Sequence, residues 1–155
     1  MSDEYNLYRF VSAQNAVYDD AIHSLRRGRM CPDYIDFIFP RLGARDSESG
    51  TKPYAIKSTD EASAYLAFPV LGGRYRECIG TLQRLAELNA RAVFGETGAK
   101  QLHASLTLFS EASDEFLFET ILYAWFDSLL DDPTVDALRS LSDKQTRKTL
   151  LAMQT

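Results

Sequence analysis

The chain has 155 residues, 45% of them hydrophobic and 25% charged, with a net charge of −5. That length and balance are those of one globular domain and exclude intrinsic disorder, because ample apolar surface offsets chain entropy. The acid surplus argues against nucleic acid as a partner, which calls for a basic excess. No apolar run reaches the length of a bilayer-spanning helix, so no membrane partner is expected. The acidic start Met1-Ser2-Asp3-Glu4 does not read as a leader, and Cys31 and Cys78 read as free thiols, so the expected address is cytoplasmic. The whole span 1–155 is read as a single domain.

Apolar residues three and four apart, from Leu7 and Phe10 to Ile22 and Leu25, predict a first helix over Tyr5 to Arg27, closed by Gly28. Gln14 falls in its apolar stripe. It either braces a neighbouring backbone, the favoured reading, or faces a cavity. Arg26, Arg27 and Arg29 read as a basic C-terminal turn. Pro32 and Pro40 bracket a short helix. Arg41 to Lys52 is a surface loop rich in Gly, Ser, Arg and Asp.

Ser58-Thr59-Asp60-Glu61 is a capping box opening a helix that ends near Phe68. Pro69 begins the next, to about Asn89, with Gly72, Gly73 and Gly80 suited to close packing against its backbone. A short turn at Arg91 to Phe94 stops at Gly95, and a helix follows over Ala99 to Phe109. Ser113 is read as the cap of a helix over 114–129, apolar nearly all round and therefore the central core helix. Pro133 opens a short helix to Leu138, and Ser142-Asp143-Lys144-Gln145 a terminal one. The fold class is all-α, a compact multi-helix domain.

Several ordered blocks carry a family resemblance. They include Phe10-Val11, Ala13-Gln14, Gly28-Arg29, Phe37-Ile38-Phe39-Pro40, Tyr54-Ala55-Ile56, Leu71-Gly72, Phe94-Gly95 and Ser105-Leu106-Thr107-Leu108-Phe109. Together they resemble the domain-of-unknown-function family eighteen-ten, loosely labelled calpastatin-like, over most of the chain. The resemblance implies an all-helical single domain and no particular activity. Where that family typically carries a histidine, a tryptophan and a glutamine, this chain has Asp33, Asp36 and Arg41.

Asp33 and Asp36 stand three apart, on one face if the segment is helical. Such a pair can divide into acid and base when an apolar wall, here Tyr34, Phe37 and Phe39, raises one carboxyl. The leading expectation is therefore a cofactor-independent small-molecule isomerase, cyclase or hydrolase with Asp33 and Asp36 catalytic. Its substrate-binding candidates are Arg29, Tyr34, Phe37, Arg41, Gln14, Arg74 and Ser105. The plain alternative makes Asp33 a helix cap and Asp36 solvated.

His23 and His103 read as exposed, though either could serve as a base. No metal-ligand spacing, phosphate loop or dinucleotide fingerprint is present, so no metal or cofactor is expected. The second functional expectation is a non-catalytic module for a small ligand or protein, on the aromatic excess of 8 Tyr and 9 Phe. A third, nucleotide or ADP-ribose handling, would use Arg29, Arg41, Arg45 and Arg74 on phosphates.

Overall fold

The computed structural model describes residues 3–43, 53–86 and 89–153. These form eight helices: α1 (Tyr8–Asn15), α2 (Tyr18–Arg26), α3 (Ile35–Ile38), α4 (Thr59–Ala67), α5 (Pro69–Gln83), α6 (Ala90–Glu111), α7 (Phe116–Phe126) and α8 (Asp132–Met153). Among the described residues the only strand-like pairing is one parallel bridge between Leu42 and Ile56. The expected all-α domain is what forms.

The long first helix is in fact two. Val17 leaves helical geometry at φ −127°, ψ −6°, so the chain turns between α1 and α2. The apolar period runs through the break, and neither Gly nor Pro marks it. Packing supplies the reason: α1 lies on α3 and α5, while α2 lies on α5, and one straight rod cannot serve both directions. Gly28 does close α2, at φ +80°. Its N–H donates to Leu25 O, and the Arg29 N–H donates to Ser24 O, the paired bonds of a Schellman end.

The chain then carries α3 and Phe39-Pro40 through the interior, where Ile38, Phe39 and Pro40 are buried. A segment that short cannot satisfy all of its own carbonyls. Gln14 Nε2 donates to Phe37 O at 2.7 Å and to the Tyr65 hydroxyl at 3.0 Å. Gln101 Nε2 donates to Phe39 O at 2.8 Å. Gln14 is thus the brace expected of it, and Gln101 is a second one from α6.

Arg9 ties α1 to the next connection. Its guanidinium donates to Pro53 O, Ala55 O and the buried Glu61 carboxylate, the last at 2.8 Å. Glu61 also completes the capping box: its N–H donates to Ser58 Oγ at 3.0 Å, and its Oε1 accepts from Lys57 N–H. Pro69 takes the first position of α5, as expected. Of the three glycines in that helix only Gly72 meets close packing. A Cβ there would lie 2.0 Å from Leu66 O, whereas Gly73 and Gly80 face open space.

The apolar helix expected over 114–129 is α7, and its burial is one-sided. Phe118, Ile121, Leu122 and Trp125 face inward, while Phe116 and Tyr123 stand in solvent. The deepest burial belongs to α6, where every residue from Ala104 to Phe109 is buried. Ser113 is not the cap of α7. Its hydroxyl donates back to Phe109 O, and Glu115 takes the N-cap position without a side-chain bond. Ser142 is likewise no cap, because α8 runs unbroken through it. No Gly or Pro separates Leu138 from Ser142, so nothing stops the helix there.

Much of the aromatic surplus fills the core instead of a binding surface. Phe10, Phe39, Tyr65, Tyr75, Phe109 and Phe118 are fully buried. Tyr75 meets Phe109 at 4.4 Å and Phe118 at 5.4 Å, and its hydroxyl pairs with Ser105 at 2.9 Å. Replacing Gln101 by Leu strands the Phe39 carbonyl and should cost about 2 kcal/mol. Gly72→Ala must displace backbone and should cost about as much or more. Urea titration of the two variants checks both; stability within error of the parent in either would remove the corresponding constraint.

Burial pushes the Cys78 thiol up to about 12 and the Tyr65 and Tyr75 phenols above their usual range. In the unfolded chain these groups ionise from their ordinary values of 9.0 and 10.0. The folded state holds the protons more tightly, so this stability is intact below about pH 9 and is lost as pH rises toward about pH 12. Urea midpoints should fall across that window, and fall less in Cys78→Ser.

Candidate functional site

The residues singled out in the sequence fall in three places. Gln14, Phe37 and Arg74 come together. Arg74 Nη1 donates to Gln14 Oε1 at 3.2 Å and Nη2 to Asn15 Oδ1 at 2.9 Å, with the guanidinium 5.0 Å from the Tyr18 ring centroid. Arg74 therefore does not pair with Glu77, which instead accepts from the Tyr18 hydroxyl and lies 4.0 Å from Arg26. This is a bracing network inside the α1–α5 contact. Ser105 lies apart, bonded to Tyr75 in the core.

Asp33, Asp36 and Arg29 are exposed. Among the described residues no hydrogen bond or ion pair joins their side chains, or that of half-buried Arg41, to any partner. Tyr34 and Phe37 turn toward each other at 6.2 Å, and Phe37 toward Tyr54 at 5.2 Å, so the rings pack among themselves. Asp33 precedes α3 without capping it; the N-cap is Tyr34. His23 is exposed, as expected. Arg45 and most of the loop from Arg41 to Lys52 lie outside the described residues.

An open cleft forms elsewhere, between the first turns of α6 and the end of α7. It encloses about 700 Å³, within the range of small-molecule sites. From α6 and its cap come Asn89, Ala90, Arg91, Glu96, Ala99, Lys100 and His103; from α7 come Trp125 and Phe126. Glu96, Lys100 and His103 share a face by their spacing of four and three. Gly95 breaks α6 just before them, at φ 76° and ψ 171°, a conformation only glycine holds without strain. That break lets Arg91, on the short piece before it, line the same cleft as Lys100 on the long piece after it. Asn89 caps the short piece, its Oδ1 accepting from Arg91 N–H at 3.0 Å.

Two features of the cleft stand out chemically. Trp125 is 7% exposed, packed on Phe94, and its buried Nε1 has no hydrogen-bond partner among the described residues. A desolvated donor left unmatched costs about 1–3 kcal/mol. His103 is half-buried, not exposed as the sequence suggested. Its ring stacks on Phe126 at 4.2 Å and 5°, and its Nε2 lies 2.8 Å from Leu129 O. A carbonyl only accepts, so Nε2 carries the proton and Nδ1 is the nitrogen left without a partner among the described residues.

Leu129 O reaches His103 because Asp127 and Ser128 both adopt left-handed backbone, φ 54° and 64°. Such conformations are unfavourable for side-chain-bearing residues and concentrate at functional positions. Among the described residues neither Arg91 nor Lys100 is in an ion pair, so both cations stand available. No group of three or more His, Cys, Asp or Glu side chains there is placed to hold a metal ion. No helix there is long and apolar enough to cross a membrane.

Fold and cleft together define an all-helical domain with an open surface cleft lined by Arg91, Glu96, Lys100, His103, Trp125 and Phe126. Residues 4–138 match the family described as Protein of unknown function (DUF1810), and the chain belongs to that family. It is similar to the crystal structure of the conserved hypothetical protein Rv1873 from Mycobacterium tuberculosis. The identity is 34%, over 88% of this chain and 99% of that one, with a TM-score of 0.82. No curated protein matches the chain.

The strain at Ser128 is testable in the free protein. Ser128→Gly relieves the left-handed penalty at some cost in unfolded-state entropy, for a net gain of about 0.5–1 kcal/mol. A urea midpoint unchanged or lowered by the substitution would show that no strain is held there.

Proposed function

We propose that this domain is a small-ligand-binding module whose site is the α6–α7 cleft, and that its ligand is an organic anion with an apolar body. The observation that carries this reading is a cleft walled by Trp125, with its unmatched, buried indole N–H, that also presents Arg91 and Lys100, neither of them in an ion pair among the described residues. The cations give attraction and orientation, the aromatic walls give contact area, and the indole supplies a directional donor. Carboxylate acid–base chemistry at Asp33 and Asp36 has the departure from the family pattern as its support. It lacks an enclosing wall, because both side chains are exposed.

The test is calorimetric titration with benzoate, phenyl phosphate and naphthalenesulfonate. At least one should bind. Arg91→Ala and Lys100→Ala should each weaken it about five- to tenfold, about 1–1.4 kcal/mol, the reach of a half-exposed charge-assisted contact. Asp33→Asn and Asp36→Asn should leave binding unchanged. Binding indifferent to Arg91 and Lys100, or no binding by any of the three, would end this reading.

A further inference from the structure

Resting on that reading of the cleft, we infer that its ligand is a small-molecule phosphate monoester, with His103 completing the site as a third cation once it takes up a proton. The argument begins with charge. The cleft lining holds two cations, Arg91 and Lys100, and one carboxylate, Glu96. With His103 neutral, that surplus matches a monoanion. With His103 protonated, it matches a dianion, the state of a phosphate monoester whose second proton leaves near about pH 6.

The histidine is built for this role by its contacts. Nε2 is committed to Leu129 O, and the ring is clamped flat on Phe126, so its orientation is set before any ligand arrives. A proton can be added only at Nδ1, which turns that nitrogen from acceptor to donor. The ring cannot swing away when it becomes charged, so the new charge stays at the cleft.

The elements around the ring carry further charged groups. Glu96 and Lys100 lie on its own helix and Arg91 on the piece before Gly95. Asp127 and Asp131 lie in the connection after α7, and Asp132 and Asp136 on the first turns of α8. Asp131 is already engaged, accepting from the Thr134 hydroxyl at 2.6 Å. An anion bound beside the ring favours the added proton. A dianion does so more than a monoanion. The three terminal oxygens of a phosphate also suit the donors present: two cations, the imidazolium and the Trp125 indole N–H.

Titration calorimetry at about pH 7.5, in two buffers of different ionisation enthalpy, separates the possibilities. The probes are phenyl phosphate, a dianion, and benzenesulfonate, a monoanion of the same shape. Phenyl phosphate should bind at least about tenfold more tightly and draw a fraction of a proton from the buffer. His103→Gln should abolish the proton uptake and bring the two affinities close together. The His103 Cε1–H resonance of the unaltered protein should move toward its protonated position as phenyl phosphate is added. Equal affinities in the unaltered protein, or proton uptake that survives in His103→Gln, overturns the inference and leaves the cleft as an anion site. No binding by either probe overturns both.

Discussion

The rest of this fold depends on how two buried carbonyls are satisfied. The stretch from Ile35 to Pro40 passes through the interior of an all-helical domain as a single turn, which bonds Ile35 O to Phe39 N–H but is too short to bond the carbonyls that follow. Phe37 O and Phe39 O would be stranded there without the amide side chains of Gln14 and Gln101. Those two glutamines come from α1 and α6, far apart in sequence. Each bond is modest, but an unmade one is expensive in an apolar interior. The pair therefore holds α1 and α6 at defined distances from α3. Phe39 then wedges between Tyr75 and Phe94, at 6.0 and 5.5 Å.

From that wedge the packing runs outward to the cleft. Phe94 bears on Trp125 at 6.3 Å, and Met30 N–H bonds Val93 O, so the piece of α6 before Gly95 is held from two sides. The helix break and the double left-handed turn at Asp127 and Ser128 then place Arg91, Lys100, His103 and the indole around one space. Both irregularities concentrate at the cleft. Asn6, before α1, is left-handed as well, at φ 52°, while ends such as the Ser58 cap and the Schellman end at Gly28 are ordinary.

What was legible in the sequence was what local chemistry decides. Ser58 with Glu61, Pro69, Gly28 and Gly95 act within a few residues of themselves, and each does what its type implies. The turn at Ala16 and Val17 was hidden because the apolar period continues across it; what requires it is that α1 packs on α3 as well as on the α5 it shares with α2. Ser113 and Ser142 match cap patterns, yet Ser113 bonds backward and Ser142 lies where nothing interrupts a helix. The cleft was invisible for a further reason. Glu96, Lys100 and His103 form a legible polar face, but their meeting with Trp125 and Phe126 exists only once α6 and α7 lie side by side. Asp33 and Asp36 drew attention by departing from the family pattern, and departure does not say which way a side chain faces.

α8 carries one more consequence. The family match ends at residue 138, and from Ser142 to Met153 every residue of the helix is exposed. With so little packing to support them, those last three turns are marginal, as a helix that short is in water. Their amide protons should therefore exchange with solvent orders of magnitude faster than those of α5 or the core of α6. Energetically, the cooperative unit ends near Leu141, a dozen residues before the helix does.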